Sequence, residues 1–222
     1  MALNLIMLGP PGAGKGTQAE RFARTRGIPK ISTGDILREA VHEGTELGLR
    51  AKAVMDRGEL VSDDIMIGVV EERLNRDDAR GGFVLDGFPR TVPQAEALDG
   101  MLAARDPLIV VDISVPEREL ARRLASRMIC ADCGANGAPG EIECARCGGR
   151  LVQRTDDNEA VVLERLRIYN RATKPLVDFY RGRPTFRSIN GAQAPDVVAA
   201  DLAAAIEAAA NGNSRVATGG RG

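Results

Sequence analysis

A nine-residue glycine-rich segment is the first place where the chain could perform chemistry. It reads Gly9-Pro10-Pro11-Gly12-Ala13-Gly14-Lys15-Gly16-Thr17 and directly follows an apolar run over residues 3–8. The G-x4-G-K spacing is that of a phosphate-binding loop, or P-loop, in which backbone N–H groups and a helix N-terminus surround polyphosphate oxygens. Lys15 would supply a positive charge to the outer phosphates. A strand-to-helix turn without a ligand is the alternative, and the apolar run before the loop and the helical pattern after it argue against that.

One carboxylate stands where P-loop proteins organise a magnesium ion and its waters. Asp86 ends the apolar run 82–86, and a carboxylate at the end of such a strand commonly serves magnesium. A carboxylate that caps the turn before Gly87 is the alternative. P-loop proteins often add a Ser or Thr hydroxyl as a second magnesium ligand. That assignment is weaker in this sequence, because Gly16 takes the usual Ser/Thr position and Thr17 comes one residue later.

The four cysteines form a second constellation. They are Cys130, Cys133, Cys144 and Cys147, two C-x2-C pairs separated by ten residues. This is zinc-ribbon spacing, and four thiolates complete a tetrahedral shell without an open position. We therefore expect a structural Zn²⁺ that folds a small segment with little apolar area to bury. Iron and a redox dithiol are the alternatives, whereas clustering in a reducing compartment disfavours disulfides.

Alternating strand and helix patterns must position these groups. Apolar runs typical of buried parallel strands occupy residues 3–8, 82–86, 107–113 and 185–189, with a short fifth near 28–31. Helical patterns occupy residues 15–25, 62–75, 92–104, 116–126, 159–180 and 195–209. The sequence therefore predicts an α/β fold, a parallel sheet covered by helices on both faces.

Two segments interrupt this alternation. Residues 32–61 have helical patterns without a strand, and residues 128–152 hold the cysteines with five glycines. Both are typical of insertions on a sheet scaffold, where mobile covers would lie. Residues 211–222 are polar and glycine-rich, which predicts a disordered tail.

The composition and net charge argue against a nucleic acid or a membrane as the partner of this protein. The formal charge of −1 gives no basic field for nucleic acid or a membrane surface. No run of about eighteen apolar residues is available to span a bilayer, and the first residues lack the basic region and cleavage site of a signal peptide. The cytoplasm is the expected compartment.

Four ordered blocks read GPPGAGKGTQA at residues 9–19, ISTGDILR at 31–38, GFVLDGFPRTVPQA at 82–95 and RTDDNE at 154–159, with Arg165 further on. In this order they resemble the signature segments of the adenylate kinases. The resemblance covers about residues 3–209 and extends to the zinc-bearing lids of bacterial members. It implies a five-stranded P-loop core (1–31, 62–127 and 153–210), an AMP-binding domain (32–61) and a zinc-ribbon-like lid (128–152).

The same resemblance implies a monomeric, Mg²⁺-dependent kinase that converts ATP and AMP to two ADP. The attacking AMP oxygen is already ionised, so the reaction needs positive charge and alignment rather than a general base. The catalytic residues would be Lys15, Asp86, Arg90, Arg123, Arg127, Arg154 and Arg165. The ATP-binding residues would be Gly12, Ala13, Gly14, Lys15, Gly16, Thr17, Arg123, Arg127 and Gln193. The AMP-binding residues would be Thr33, Arg38, Glu59, Leu60, Val61, Gly87, Phe88, Pro89, Arg90, Gln94, Arg154 and Arg165.

Several assignments have alternatives. A solvated or carboxylate-paired arginine is the alternative for any single member of that set. Asp156 and Asp157 could orient neighbouring arginines or cap the next helix, and both uses remain open. The Gln94 amide offers one donor and one acceptor, which matches the adenine edge and is reversed for guanine. The short gap between the cysteine pairs leaves the lid-tip contacts near Asn136 and Gly137 unassigned.

Two other functions deserve comparison. One is a monophosphate kinase for another base, which Gln94 and the metal-bearing lid disfavour. The other is a nucleic-acid-binding zinc ribbon with a P-loop switch. The net charge of −1 and the lack of aromatic residues around the cysteines disfavour that class. The expected partners are therefore ATP, AMP and ADP.

Overall fold

A five-stranded parallel sheet forms the centre of the protein. The computed structural model describes residues 2–137 and 140–218; residue 1 of the predicted core and residues 219–222 of the predicted tail lie outside this part. The strand order is β2-β3-β1-β4-β7. These strands are β1 (Leu3–Leu8), β2 (Lys30–Ser32), β3 (Gly82–Asp86), β4 (Leu108–Ser114) and β7 (Phe186–Asn190). All four strand pairings are parallel, as the apolar runs predict.

Helices cover both faces of the sheet. They are α1 (Lys15–Arg26), α2 (Thr33–Glu43), α3 (Glu46–Asp56), α4 (Asp63–Leu74), α5 (Val92–Met101), α6 (Glu117–Ala125), α7 (Glu159–Ile168), α8 (Pro175–Arg181) and α9 (Pro195–Thr218). Alternate β1 residues face opposite layers, with Ile6 among the side chains of α4, α5 and α8 and Leu5 among those of α1, α6 and α9. The α/β prediction is confirmed.

Two sequence predictions need correction. The single helix expected over residues 159–180 is interrupted by a π-helical turn (Tyr169–Thr173), after which α8 begins at Pro175. Proline lacks the N–H that would continue the ladder, and its ring clashes with the preceding turn. Residues 211–218, expected to be disordered, continue α9 to Thr218. Adding residues to an existing helix avoids the cost of nucleation.

The two predicted insertions have different constructions. In residues 32–61, α2 and α3 cross so closely that a Cβ on Gly48 would lie 2.0 Å from the carbonyl oxygen of Ala40. In the described part of 128–152, β5 (Met128–Cys130) pairs antiparallel with β6 (Leu151–Gln153), and turns connect them without a helix.

The parallel strands bring their following loops to one edge. The P-loop follows β1, Thr33 follows β2, Gly87 follows β3 and Gly191 follows β7. In open parallel sheets, ligands bind at this carboxyl edge. Within the described ranges no helix has both the length and the apolar character needed to cross a membrane.

Candidate active site

The P-loop wraps around the N-terminus of α1. Gly12 has φ +84° and Gly14, the N-cap residue, has φ +92°. L side chains rarely adopt these values, so the glycines permit the tight approach of the loop. The Lys15 ammonium group donates to the carbonyl oxygens of Gly9 (2.7 Å) and Pro10 (2.9 Å). Helix N–H groups and one cation therefore face the same space, which suits an anion.

The buried position of Lys15 disfavours the charged form of its side chain. Desolvation lowers its pKa to about 8, and Asp86 partly opposes that shift. The charges of Arg90, Arg165 and Arg127 lower the pKa further. Asp86 therefore compensates the Lys15 charge only in part, and a bound polyphosphate would supply the rest.

Asp86 explains the unusual glycine at position 16. A Cβ on Gly16 would lie 3.2 Å from Asp86 Oδ2 and 4.0 Å from Asn136 Nδ2. The carboxylate thus takes the space that a Ser or Thr side chain would occupy, and Asn136, from the cysteine-bearing segment, lies close to the loop. Asp86 has no salt-bridge partner in residues 2–137 and 140–218. A hard carboxylate beside the phosphate site fits a magnesium ion and its waters.

The predicted arginines converge beside the P-loop. Burial, followed by the charge of Arg154, lowers the pKa of Arg38. Burial also lowers the pKa of Arg90, and the positive charges of Arg38 and Arg154 lower it further. Burial lowers the pKa of Arg165 to about 10. Five guanidinium groups, including Arg127, therefore lie close enough to repel one another. Such a cluster is suited to a highly anionic ligand.

Two adjacent carboxylates orient these arginines. Asp156 accepts hydrogen bonds from Arg154 at 2.8 and 2.7 Å and lies 3.1 Å from Arg165. The buried Asp157 accepts from Arg127 at 2.6 and 2.5 Å and from Arg165 at 3.0 Å. Of the two uses that the sequence leaves open, the structure supports orientation.

The helix cap belongs to the next residue. Asn158 precedes α7, and its Oδ1 accepts from the backbone N–H of Val161 at 3.1 Å. Because this short polar side chain caps α7, the preceding carboxylates remain available to the arginines.

Arg123 lies on α6, and Gln193 lies in the loop between β7 and α9. Arg123 donates to Glu119 at 2.9 Å and to the carbonyl oxygen of Gly191 at 2.9 Å. The Gln193 amide donates to Asp201 at 2.7 Å. Both predicted residues line the cleft, but the Gln193 side-chain donors are engaged within the protein.

The residues predicted to bind AMP gather around the turn after β3. Thr33 Oγ1 donates to the Gly87 carbonyl at 2.9 Å, and Arg90 Nε donates to the same oxygen at 2.8 Å. Gln94 is buried beside them. Phe88 is the exception, because its side chain lies in the hydrophobic core at 1% exposure, before a cis peptide bond to Pro89. That position therefore faces the core rather than the cleft.

One cleft joins both groups of residues. Its volume is about 2340 Å³, and every predicted nucleotide-binding residue except Phe88 lines it. Pockets for one drug-sized ligand measure about 300–1,000 Å³. The cleft therefore has room for two nucleotides, one beside the P-loop and one beside Gln94.

The four cysteines form one cluster in the segment that begins with β5 and ends with β6. Their sulfur atoms all lie within 4.8 Å of one another, with 3.5 Å between Cys130 and Cys147 and 3.6 Å between Cys133 and Cys144. A tetrahedral ion with S ligands at about 2.3 Å requires sulfurs about 3.8 Å apart. The backbone N–H of Arg146 donates to Cys144 Sγ and lowers the pKa of that thiol. The cluster therefore fits a four-coordinate metal ion.

Three acidic partners of the site residues were not identified from the sequence. Asp35 pairs with Arg38 and Glu119 pairs with Arg123. Helical i,i+3 and i,i+4 spacing would have revealed these two pairs. Asp63, which contacts Gln94, has no such signal because 31 residues separate them.

Together the parallel P-loop sheet, the two-nucleotide cleft and its arginines define a nucleotide-dependent phosphotransferase. The sequence model of the adenylate kinase family matches residues 7–184. The chain is 50% identical over 213 residues to an adenylate kinase of Archaeoglobus fulgidus, covering 92% of this chain and 98% of the relative. It is 50% identical to one of Geobacillus sp. (90% and 96% covered) and 47% identical to one of Methanosarcina acetivorans (91% and 97%). The chain belongs to the adenylate kinase family.

Proposed function

We propose that this protein catalyses reversible, Mg²⁺-dependent transfer of the terminal phosphoryl group of ATP to AMP, producing two ADP. The observation that best supports this reaction is the cluster of positive charges that Lys15 and the site arginines form in the cleft. Family membership supports the same reaction.

The chemistry follows from where positive charge gathers. An ionised oxygen of the AMP phosphate attacks the γ-phosphorus, and the bond from that phosphorus to the β–γ bridging oxygen breaks, so ADP leaves. Arg38 and Arg90 hold the attacking phosphate, and Lys15 with the loop N–H groups holds the donor phosphates. Since charge spreads over the transferring oxygens, pre-oriented cations stabilise the transition state.

The remaining arginines complete this arrangement. Arg154 and Arg165 bridge the transferring group. Arg123 approaches the ATP phosphates from α6, and Arg127 approaches them from the connection between α6 and β5. Asp156 and Asp157 hold three of these four side chains in place through the ion pairs described above. Arginine's planar fork suits bidentate phosphate contacts.

Asp86 is the residue that would hold magnesium, through coordinated water or directly. When bound, this ion neutralises phosphate charge and aligns the β- and γ-phosphates. The position of this carboxylate beside Gly16 of the P-loop, without a salt bridge to any described residue, supports this assignment.

Two segments act as covers that exclude water. We assign residues 32–61 to the AMP-binding domain and 128–152 to the lid. A Cβ on Gly58 would lie 3.0 Å from Arg165 Cγ, and Asn136 lies over the P-loop. Contacts of both insertions with the core support closure, which prevents water from accepting the phosphoryl group.

Zinc is the ion we assign to the four cysteines. Cys130, Cys133, Cys144 and Cys147 leave no open coordination position, so the ion stabilises the lid rather than taking part in the reaction. The free thiols and the nucleotide substrates support a cytoplasmic location. We also propose a monomer whose partners are ATP, AMP and ADP, with neither nucleic acid nor membrane as a partner.

A steady-state assay tests the proposal. ADP formation is measured with Mg·ATP and AMP, GMP, CMP or UMP in turn. We expect rapid turnover with AMP and at least about 100-fold lower kcat/KM with the other acceptors. Preference for another acceptor would overturn the base assignment, and no turnover by zinc-loaded protein with any acceptor would overturn the function.

A further inference from the structure

The side-chain amide of Gln94 is held by two partners of opposite character. Gln94 Nε2 donates to Asp63 Oδ1 at 2.7 Å, and Gln94 Oε1 accepts from the backbone N–H of Arg90 at 2.7 Å. Gln94 is only 2% exposed. Asp63 begins α4 and Gln94 lies in the first turn of α5, so the contact joins two helices outside residues 32–61.

Only one orientation of the amide satisfies both partners. An ionised carboxylate only accepts hydrogen bonds, and a backbone N–H only donates. Rotating the amide by about 180° would put Oε1 against Asp63 and the NH₂ group against the Arg90 N–H. Both hydrogen bonds would become contacts between like groups. The Thr91 hydroxyl donates to Asp63 Oδ2 at 2.9 Å and so holds the carboxylate itself.

The held orientation determines which purine edge can pair with the amide. Each atom of the amide keeps unused capacity, one N–H on Nε2 and one lone pair on Oε1. Adenine presents an acceptor at N1 and a donor at the 6-amino group, whereas a 6-oxo purine reverses the two. A freely rotating amide would pair with either edge. Discrimination is therefore only as large as the free energy that opposes rotation.

We propose that Asp63 is the positioning residue for base selectivity, because it prevents Gln94 from turning to accept a 6-oxo purine monophosphate. The inference rests on the proposed function, together with the assignment of Gln94 to the AMP base that the family resemblance implies. It adds a residue that contacts no substrate and acts through Gln94 alone.

Asp63→Asn tests this with little change in shape. An asparagine amide can offer Gln94 either an acceptor or a donor, so it no longer opposes rotation. Asp64→Asn is the matched control, because it removes one carboxylate from the same first turn of α4. We measure kcat/KM for AMP and for IMP, a 6-oxo purine without a 2-amino group, together with the KM for ATP and thermal unfolding.

The expected result is a fall of about tenfold or more in the AMP/IMP ratio of kcat/KM for Asp63→Asn, since one of two restraining hydrogen bonds loses its direction. Asp64→Asn should keep the wild-type ratio, and the KM for ATP should change less than about twofold in both variants. Should Asp63→Asn unfold at assay temperature, Asp63→Ser, whose hydroxyl both donates and accepts, serves as the second variant.

The outcomes separate the two proposals. A wild-type protein that turns over no acceptor would overturn the proposed function and this inference together. A wild-type protein without a preference for AMP would overturn the base assignment and this inference, but not phosphoryl transfer itself. A wild-type preference for AMP with an unchanged ratio in Asp63→Asn would overturn the role of Asp63 alone. Equal losses of kcat/KM with both acceptors would indicate a structural role and would also contradict the inference.

Discussion

Arg127 and Asp157 form a two-point ion pair, with 2.6 Å from Nε to Oδ2 and 2.5 Å from Nη2 to Oδ1. The Asp157 side chain is fully buried, while Arg127 keeps 22% of its side chain exposed toward the cleft. The same carboxylate accepts from Arg165 at 3.0 Å. One buried anion thus orients two of the cations that we assign to the transferring phosphate.

Removal of this anion should cost both stability and activity. Asp157→Ala removes the buried counter-ion of Arg127 and leaves Arg165 with Asp156 alone, so we expect a loss of about 3–5 kcal/mol in the free energy of unfolding. Thermal or urea denaturation measures it. Glu164→Ala is the control, because Glu164 forms only an exposed pair with Arg167 at 3.6 Å; its effect should stay within about 0.5 kcal/mol. Equal effects of both variants would contradict the prediction.

Lys15 should matter for turnover and not for folding. We expect Lys15→Met to lower kcat by about 10²–10³-fold, because one preorganised cation is removed from the developing phosphate charge. The melting temperature should not fall, since the substitution also removes a desolvated charge. Steady-state kinetics and calorimetry on the same samples measure both quantities. Near-normal kcat would exclude the P-loop assignment.

ATP binding should take up a proton at alkaline pH. The pKa of Lys15 is about 8 in the free protein, and an adjacent polyphosphate raises it. Above pH 8 the free protein therefore loses the Lys15 proton, while the complex retains it. The Kd for ATP should rise with pH, toward about tenfold per pH unit.

Calorimetric titrations at pH 8.5 in two buffers of different ionisation enthalpy measure the proton count. The Lys15→Met variant is the control and should lack this uptake. Uptake that is the same in wild type and variant would show that another group titrates.

Two glycines in helices should respond oppositely to alanine. A Cβ on Gly48 would lie 2.0 Å from the Ala40 carbonyl oxygen, whereas a Cβ on Gly68 would have no described heavy atom within 4 Å beyond its chain neighbours and its own helix backbone. Gly48→Ala must separate α2 from α3, so we expect a loss of about 1–3 kcal/mol or more and a higher KM for AMP. Gly68→Ala should gain about 0.5–1 kcal/mol from helix propensity. Denaturation curves compare the two, and a stabilising Gly48→Ala would show that the helices move apart freely.

The lid should depend on its metal. Changing Cys130 and Cys133 to Ser removes half of the ligands, so we expect loss of bound zinc and a lower melting temperature, because metal binding contributes folding free energy. Elemental analysis and calorimetry measure these changes, and wild-type protein stripped by a chelator should melt like the variant. Metal content that stays near one ion per chain would contradict four-cysteine coordination.

Local sequence signals predict most of the fold. Apolar runs locate β1 and β3 at their observed bounds, because a buried parallel strand is apolar on both faces. The break before Pro175 was missed by the prediction of one helix over residues 159–180, although a proline inside a helical pattern signals a break. The N-cap of α7 could not be predicted from the sequence. Asp156, Asp157 and Asn158 are adjacent candidates, and only packing decides which side chain faces the helix N-terminus.

The sequence by itself determined the available chemistry. It contains a P-loop by glycine spacing, four thiols at zinc-ribbon spacing, and enough arginines to bind the phosphates of two nucleotides. These signals are readable because each motif is contiguous. Only the tertiary structure decided the pairs, in which Asp63 orients Gln94 and Asp157 orients Arg127. Such contacts depend on how packed helices and loops align, and no local propensity records the alignment of residues about thirty positions apart.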